Sequence, residues 1–142
     1  MENIIKIKNI KLGEGAPKIC VPVIEKTEKE IIKYIKYINK LPIDIIEWRA
    51  DFYLEDIIYN GESEINIIEI SKSIKKITNK PIIFTMRSYK EGGKLKSDFY
   101  NNIIDIYKTV IKNKCFDLID LEILTLKERD IKNLIKLAKE NN

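Results

Sequence analysis

Ile43-Asp44-Ile45-Ile46-Glu47-Trp48-Arg49-Ala50-Asp51 is an isoleucine-rich apolar run that closes on charged side chains. Pro42 bounds it on one side and charge on the other, a pattern that predicts a β-strand. Alternation puts Ile43, Ile45, Glu47 and Arg49 on one face, with Asp51 at its end, and Asp44, Ile46 and Trp48 on the other. A carboxylate and a guanidinium then stand side by side at the far end of a mostly apolar strand. Two readings are open at this point. One is a structural ion pair. The other is a polar site at the carboxyl end of a strand in an α/β sheet, where such folds bind ligands.

Residues 3–12 alternate apolar and basic side chains and predict a short strand pair with one wet face. Gly13, Gly15 and Pro17 punctuate a loop. Lys18 to Ile24 predicts a buried strand, in which Pro22 removes one ladder donor. Thr27 and Glu30 form a capping box, and Ile31, Ile32, Ile35 and Ile38 follow at helical spacing with lysines opposite. Beyond the opening strand, Leu54 to Ile58 suits a single turn and Gly61 resets the chain. Ser63 is the expected cap of a helix over Ile65 to Ile77.

Pro81 to Arg87 is the next strand, with Ile83, Thr85 and Arg87 on one face, and a polar loop over residues 88–97 follows. Asp98 to Lys112 predicts a helix with a stripe of Ile103, Ile106, Tyr107 and Val110. Phe116 to Leu124 predicts a strand with Leu118, Asp120 and Glu122 on one face. Thr125 is the expected cap of a last helix through Ala138. The order is β-α-β-α-β-α-β-α after a leading β-hairpin. Strands joined by helices of about a dozen residues imply right-handed crossovers and a parallel sheet, an α/β fold. No composition shift divides the chain, so residues 1–142 are expected to form one domain.

Three strands end alike: Glu47 with Arg49, then Arg87, then Asp120 with Glu122. Their opposite faces carry Ile46 and Trp48, then Ile82, Phe84 and Met86, then Ile119 and Leu121, which suit packing under helices. The charged ends therefore face away from the helix layer. A doubly wound sheet covers both faces with helices and would bury those charges awkwardly. In a barrel the same face is the lumen, and its carboxyl mouth holds the site.

Composition narrows the chemistry. With 44% apolar and 34% charged residues, the chain is an ordinary globular one. Its net charge of +4 comes from lysines spread along helices, which argues against a nucleic-acid partner. No run approaches the roughly 20 apolar residues of a membrane span and no signal-peptide core opens the chain, so a cytoplasmic location is expected. Cys20 and Cys115 lie far apart in apolar segments and are expected to be free and buried. There is no histidine, which removes the commonest general base and zinc ligand. Of the 26 basic residues only Arg49, Arg87 and Arg129 are arginines. In a chain that uses lysine nearly everywhere, the bidentate fork of Arg49 and Arg87 stands out.

Taken in order and spacing, Ala-Pro-Lys-Ile-Cys-Val-Pro-Val (16–23), Asp-Ile-Ile-Glu-Trp-Arg-Ala-Asp (44–51), Pro-Ile-Ile-Phe-Thr-Met-Arg-Ser-Tyr-Lys-Glu-Gly-Gly (81–93) and Asp-Leu-Ile-Asp-Leu-Glu-Ile (117–123) resemble type I 3-dehydroquinate dehydratase. The resemblance runs from about residue 3 to the end and implies the N-terminal half of a (βα)8 TIM barrel with a hairpin closing its base. It implies a lyase of the shikimate pathway, leading to aromatic amino acids. That enzyme removes water from 3-dehydroquinate to give 3-dehydroshikimate through a Schiff base to lysine, without metal or other cofactor. By resemblance Glu47, Arg49 and Arg87 contact the oxygens of this small-molecule substrate. Glu91 helps orient the catalytic histidine, and Gly92 and Gly93 let the loop turn close to the site. Where some members carry serine on the first strand, this chain has Pro22.

The resemblance also implies that the general acid/base histidine and the Schiff-base lysine belong beyond Asn142, on the fifth and sixth strands. No lysine here matches the catalytic one by motif. The chain is then expected to be inactive alone, and to pair as a homo-oligomer or with the missing C-terminal half across its open strand edges. The alternative is a non-catalytic half-barrel that binds a ligand or oligomerises.

Overall fold

The computed structural model describes residues 4–59 and 66–141. Strands β1 (Ile5–Ile7) and β2 (Ile10–Leu12) form the expected antiparallel hairpin, turning at Lys8 with φ 50°. The Lys8 ammonium reaches Asp117 at 3.0 Å and the Lys80 carbonyl at 3.1 Å. Both partners precede sheet strands, so the hairpin is fastened at the amino ends of the strands.

The main sheet holds β3 (Cys20–Val23), β4 (Ile45–Arg49), β5 (Ile82–Thr85) and β6 (Leu118–Asp120), all parallel and in chain order. Consecutive order means that each crossover steps the same way. The helices therefore lie on one side only, as in half of a (βα)8 barrel. They are α1 (Glu28–Ile38), α2 (Ala50–Tyr59), α3 (Ile67–Lys75), α4 (Tyr100–Lys112) and α5 (Glu128–Glu140). Among the described residues, none is long and apolar enough to cross a membrane.

Burial follows the alternation. Val23, Ile46, Trp48, Ile82 and Phe84 face the helices and sit in the core with Ile31, Ile35, Ile70, Ile74, Tyr107 and Val110. Trp48 lies 5.7 Å from the Phe84 ring and 5.5 Å from Phe116, and those two phenylalanines stack at 5.1 Å. The opposite face presents Pro22, Glu47, Ile83 and Leu118 in one row, then Arg49, Thr85 and Asp120 in the next.

The capping box forms: Thr27 Oγ1 accepts the Glu30 N–H at 3.3 Å and donates to the Glu30 carboxylate at 2.8 Å. Other expectations are corrected. Leu54 to Ile58 is not a lone turn but part of α2, which starts immediately after β4 and takes Asp51 off the strand. Helix α3 is capped by Asn66, whose side chain accepts the Glu69 N–H; Ser63 and Ile65 lie outside the described residues. A 3₁₀ turn over Ser97–Phe99 delays α4 to Tyr100. Strand β6 stops at Asp120, short of Leu124, because the chain turns away and leaves Ile123 and Leu124 exposed. Helix α5 begins after Lys127 rather than at Thr125. Cys115 is buried as expected, whereas Cys20 is exposed, because β3 is an edge strand and Cys20 lies on its uncovered inner face. Ile19 and Ile24, at the two ends of that strand, are exposed with it.

Candidate active site

The strand ends bring the charged residues together on the inner face. On β4, Arg49 makes a forked pair with Asp51: Nε donates to Oδ1 at 2.9 Å and Nη2 to Oδ2 at 3.0 Å. The ion pair anticipated at this strand end therefore exists, but its carboxylate is Asp51. This contact outweighs partial burial and holds the Arg49 guanidinium above its ordinary pKa. Glu47 stands one row below, beside Pro22 on β3, which offers no hydroxyl. Among the described residues no donor hydrogen-bonds the half-buried Glu47 carboxylate.

After β5 the chain carries Arg87 into a ring of acids. Its Nη1 donates to Glu91 at 2.9 Å and its Nη2 to Asp120 on β6 at 2.7 Å, with Glu122 at 3.8 Å. Burial alone lowers the guanidinium pKa, but Asp120 and Glu122 more than offset it and the net displacement is upward. Glu122 is buried and accepts the Ser88 backbone N–H at 2.6 Å, so it holds the start of the loop as well as the arginine. The Tyr107 hydroxyl donates to the Asp120 carbonyl at 2.6 Å, which locks the end of β6 from the helix side. Burial pushes that phenol's pKa well upward, so it stays a donor.

The loop after Arg87 is built by its glycines. Gly92 adopts φ 79°, and a Cβ on Gly93 would lie 2.0 Å from the Arg87 carbonyl oxygen. Only glycine lets the turn pass so close. The same loop presents Glu91 to Arg87, and Thr125 reaches the other Glu91 oxygen at 3.4 Å. Thr125 therefore supports the site rather than capping α5.

Glu47, Arg49, Arg87 and Glu91 thus converge at the carboxyl ends of β4 and β5. Each arginine commits two of its five N–H donors to the carboxylates above, and the other three make no hydrogen bond among the described residues. The sequence reading left Asp51 without a role. It is fully buried and also accepts the Lys94 N–H at 3.2 Å. An acid opening a helix directly after a strand, two residues past an arginine, was the available signal. Thr85, fully buried between Arg49 and Asp120, keeps a hydroxyl with no partner among the described residues.

A singly wound parallel sheet with its polar cluster at the carboxyl ends of the strands has the construction of a (βα)-barrel enzyme site. The model of the type I 3-dehydroquinase family matches residues 19–142, and the chain belongs to that family. The 3-dehydroquinate dehydratase of Bacillus subtilis is 36% identical over 140 residues, covering 99% of this chain and 52% of that protein. That of Clostridium botulinum is 35% identical over 148 residues, covering 100% of this chain and 54% of that protein. The crystal structure of type I 3-dehydroquinate dehydratase from Clostridium difficile, with covalently modified comenic acid, superposes with a TM-score of 0.84. It is 36% identical and is matched over 99% of this chain and 54% of that one. The Geobacillus kaustophilus 3-dehydroquinate dehydratase superposes with a TM-score of 0.83 at 26% identity. The chain spans about half the length of the curated relatives it matches.

Proposed function

We propose that this chain forms the substrate-gripping half of a 3-dehydroquinate dehydratase site. The observation that carries this reading is the convergence of Glu47, Arg49 and Arg87 on the inner face, in a member of this family. Glu47 accepts from a substrate hydroxyl, while the spare N–H groups of Arg49 and Arg87 donate to substrate oxygens. Glu91, tied to Arg87 at 2.9 Å, is a positioning residue for the catalytic machinery.

Dehydration through a Schiff base needs a lysine amine and a proton-transfer group beside the substrate. This chain has no histidine, and no lysine stands in the inner rows of the four strands. We place both groups on a C-terminal half that completes the barrel beside β3 and β6, in a cytoplasmic enzyme; a second copy of this chain, itself without histidine, would close the strand edges and supply neither group. The chain alone then binds 3-dehydroquinate without turning it over. Incubation with 3-dehydroquinate and borohydride, followed by intact-mass measurement, tests this. No adduct and no turnover are expected; a single reduced adduct on one lysine, with turnover, would overturn the proposal.

A further inference from the structure

The two arginines of the site are held by different means. Arg87 is met by carboxylates on the neighbouring strand end and its own loop. Arg49 is met by Asp51, which is 0% exposed and sits in the first turn of α2. Asp51 Oδ2 serves two pieces of chain at once: it accepts from Arg49 Nη2 at 3.0 Å and from the Lys94 backbone N–H at 3.2 Å. Phe52 repeats the arrangement, its ring lying 5.2 Å from Arg49 Cζ and 5.4 Å from Lys94 Nζ. At the far end of α2 the Tyr59 hydroxyl accepts the Lys96 N–H at 3.0 Å. One helix therefore gathers both the end of β4 and the loop after β5.

A fully buried carboxylate is unfavourable unless cations and donors surround it. Each partner found for Asp51 belongs to a segment that carries the candidate site, and the helix N-terminus adds a favourable field. We propose that Asp51 is the positioning residue of this site, its single buried carboxylate fixing the Arg49 guanidinium and the Gly92–Leu95 loop relative to one another. The inference rests on the ligand-binding reading of Arg49. Asp51 itself has no exposed surface to offer a ligand. It acts by presenting the free N–H groups of Arg49 in one orientation, and by making that orientation depend on the loop that carries Glu91.

Asp51→Asn preserves size but removes the charge and replaces one acceptor with a donor facing Arg49. The test measures 3-dehydroquinate affinity for the parent chain, Asp51→Asn, Arg49→Ala and the double variant, with ¹⁵N spectra of the Arg49 Nε–H and the Lys94 amide. Asp51→Asn is expected to weaken binding by about tenfold or more. Adding Arg49→Ala to it is expected to change little further, because both act through one group. Without ligand, Asp51→Asn shifts the Arg49 Nε–H and the Lys94 amide together.

Parent-like affinity in Asp51→Asn, with affinity lost in Arg49→Ala, overturns the inference and leaves the ligand site standing. If the parent binds no 3-dehydroquinate, or is indifferent to Arg49→Ala, the ligand reading fails instead. The ligand-free spectra then decide the role of Asp51, which is overturned if either signal stays put. Where Asp51→Asn does not fold, the parent spectrum decides. Its Arg49 Nε–H must stay slowly exchanging when 3-dehydroquinate is added, and accelerated exchange refutes the positioning role.

Discussion

Replacing Gly93 with alanine tests how tightly the loop is built against the strand end. The added Cβ would lie 2.0 Å from the Arg87 carbonyl oxygen, 2.3 Å from its carbonyl carbon and 2.5 Å from its Cβ. None of these is the loose end of a side chain, so the backbone must move. The loop is held by Gly93 N–H to Ser88 O at 2.7 Å and by Lys94 and Leu95 N–H to Arg87 O at 3.1 and 3.3 Å. Overpacking costs about 1–3 kcal/mol, and each lost hydrogen bond about 1 kcal/mol net. Part of the strain is relieved by sacrificing one or two of those bonds, so a loss of about 3 kcal/mol is expected. In urea that lowers the unfolding midpoint on the order of 1–2 M. Gly92→Ala is the internal comparison. Nothing lies within 4 Å of a Cβ there, and only the φ of 79° opposes it, for about 1–2 kcal/mol. A Gly93→Ala chain within about 0.5 kcal/mol of the parent, or more stable than Gly92→Ala, would mean that the loop is not held tightly against the strand end.

Two further predictions concern charge. Arg87→Ala removes the cation shared by Glu91, Asp120 and Glu122. With Glu122 buried, stability at pH 7 should fall by about 3 kcal/mol. Urea unfolding of the parent and the variant at pH 7 measures the difference, and a loss within about 0.5 kcal/mol of zero would contradict it. At the α4–α5 contact, the Tyr100 hydroxyl donates to Asp130 at 2.9 Å and, with Arg129, holds that carboxyl below its ordinary pKa. Its contribution to stability is therefore complete above the ordinary carboxylate range and lost as pH falls through the lowered value. Tyr100→Phe should move the Asp130 titration, followed by carbon NMR, back upward, and an unchanged titration would dismiss the assignment.

Period-two alternation makes the core legible in the sequence: Ile46, Trp48, Ile82 and Phe84 face the helices, while Glu47 and Arg49 share the inner face. It worked because each strand packs helices on one side only. The recurrence of charge at Arg87, Asp120 and Glu122 likewise marked the charged cluster of the candidate site, since three parallel strands end at one level. Periodicity could not show where a strand yields to a helix without a loop. Asp51 looks like the next strand position, yet Ala50 already opens α2. It also could not distinguish an edge strand from a central one, so Cys20 and Ile24 read as buried although they are exposed. Thr125 shows a third limit. A threonine before an amphipathic run resembles a cap, but here a long-range partner, Glu91 at 3.4 Å, takes its hydroxyl.

If the inner-face ends of β4 and β5 grip 3-dehydroquinate, as we propose, that compound must perturb them in solution. The isotopically labelled chain can be titrated with it while backbone amides and both arginine Nε–H signals are followed by NMR. Saturable shifts are expected at Glu47, Arg49 and Arg87, and none at Arg129, which is exposed on α5. Absence of any shift at those strand ends, or shifts confined to another face of the protein, would contradict it.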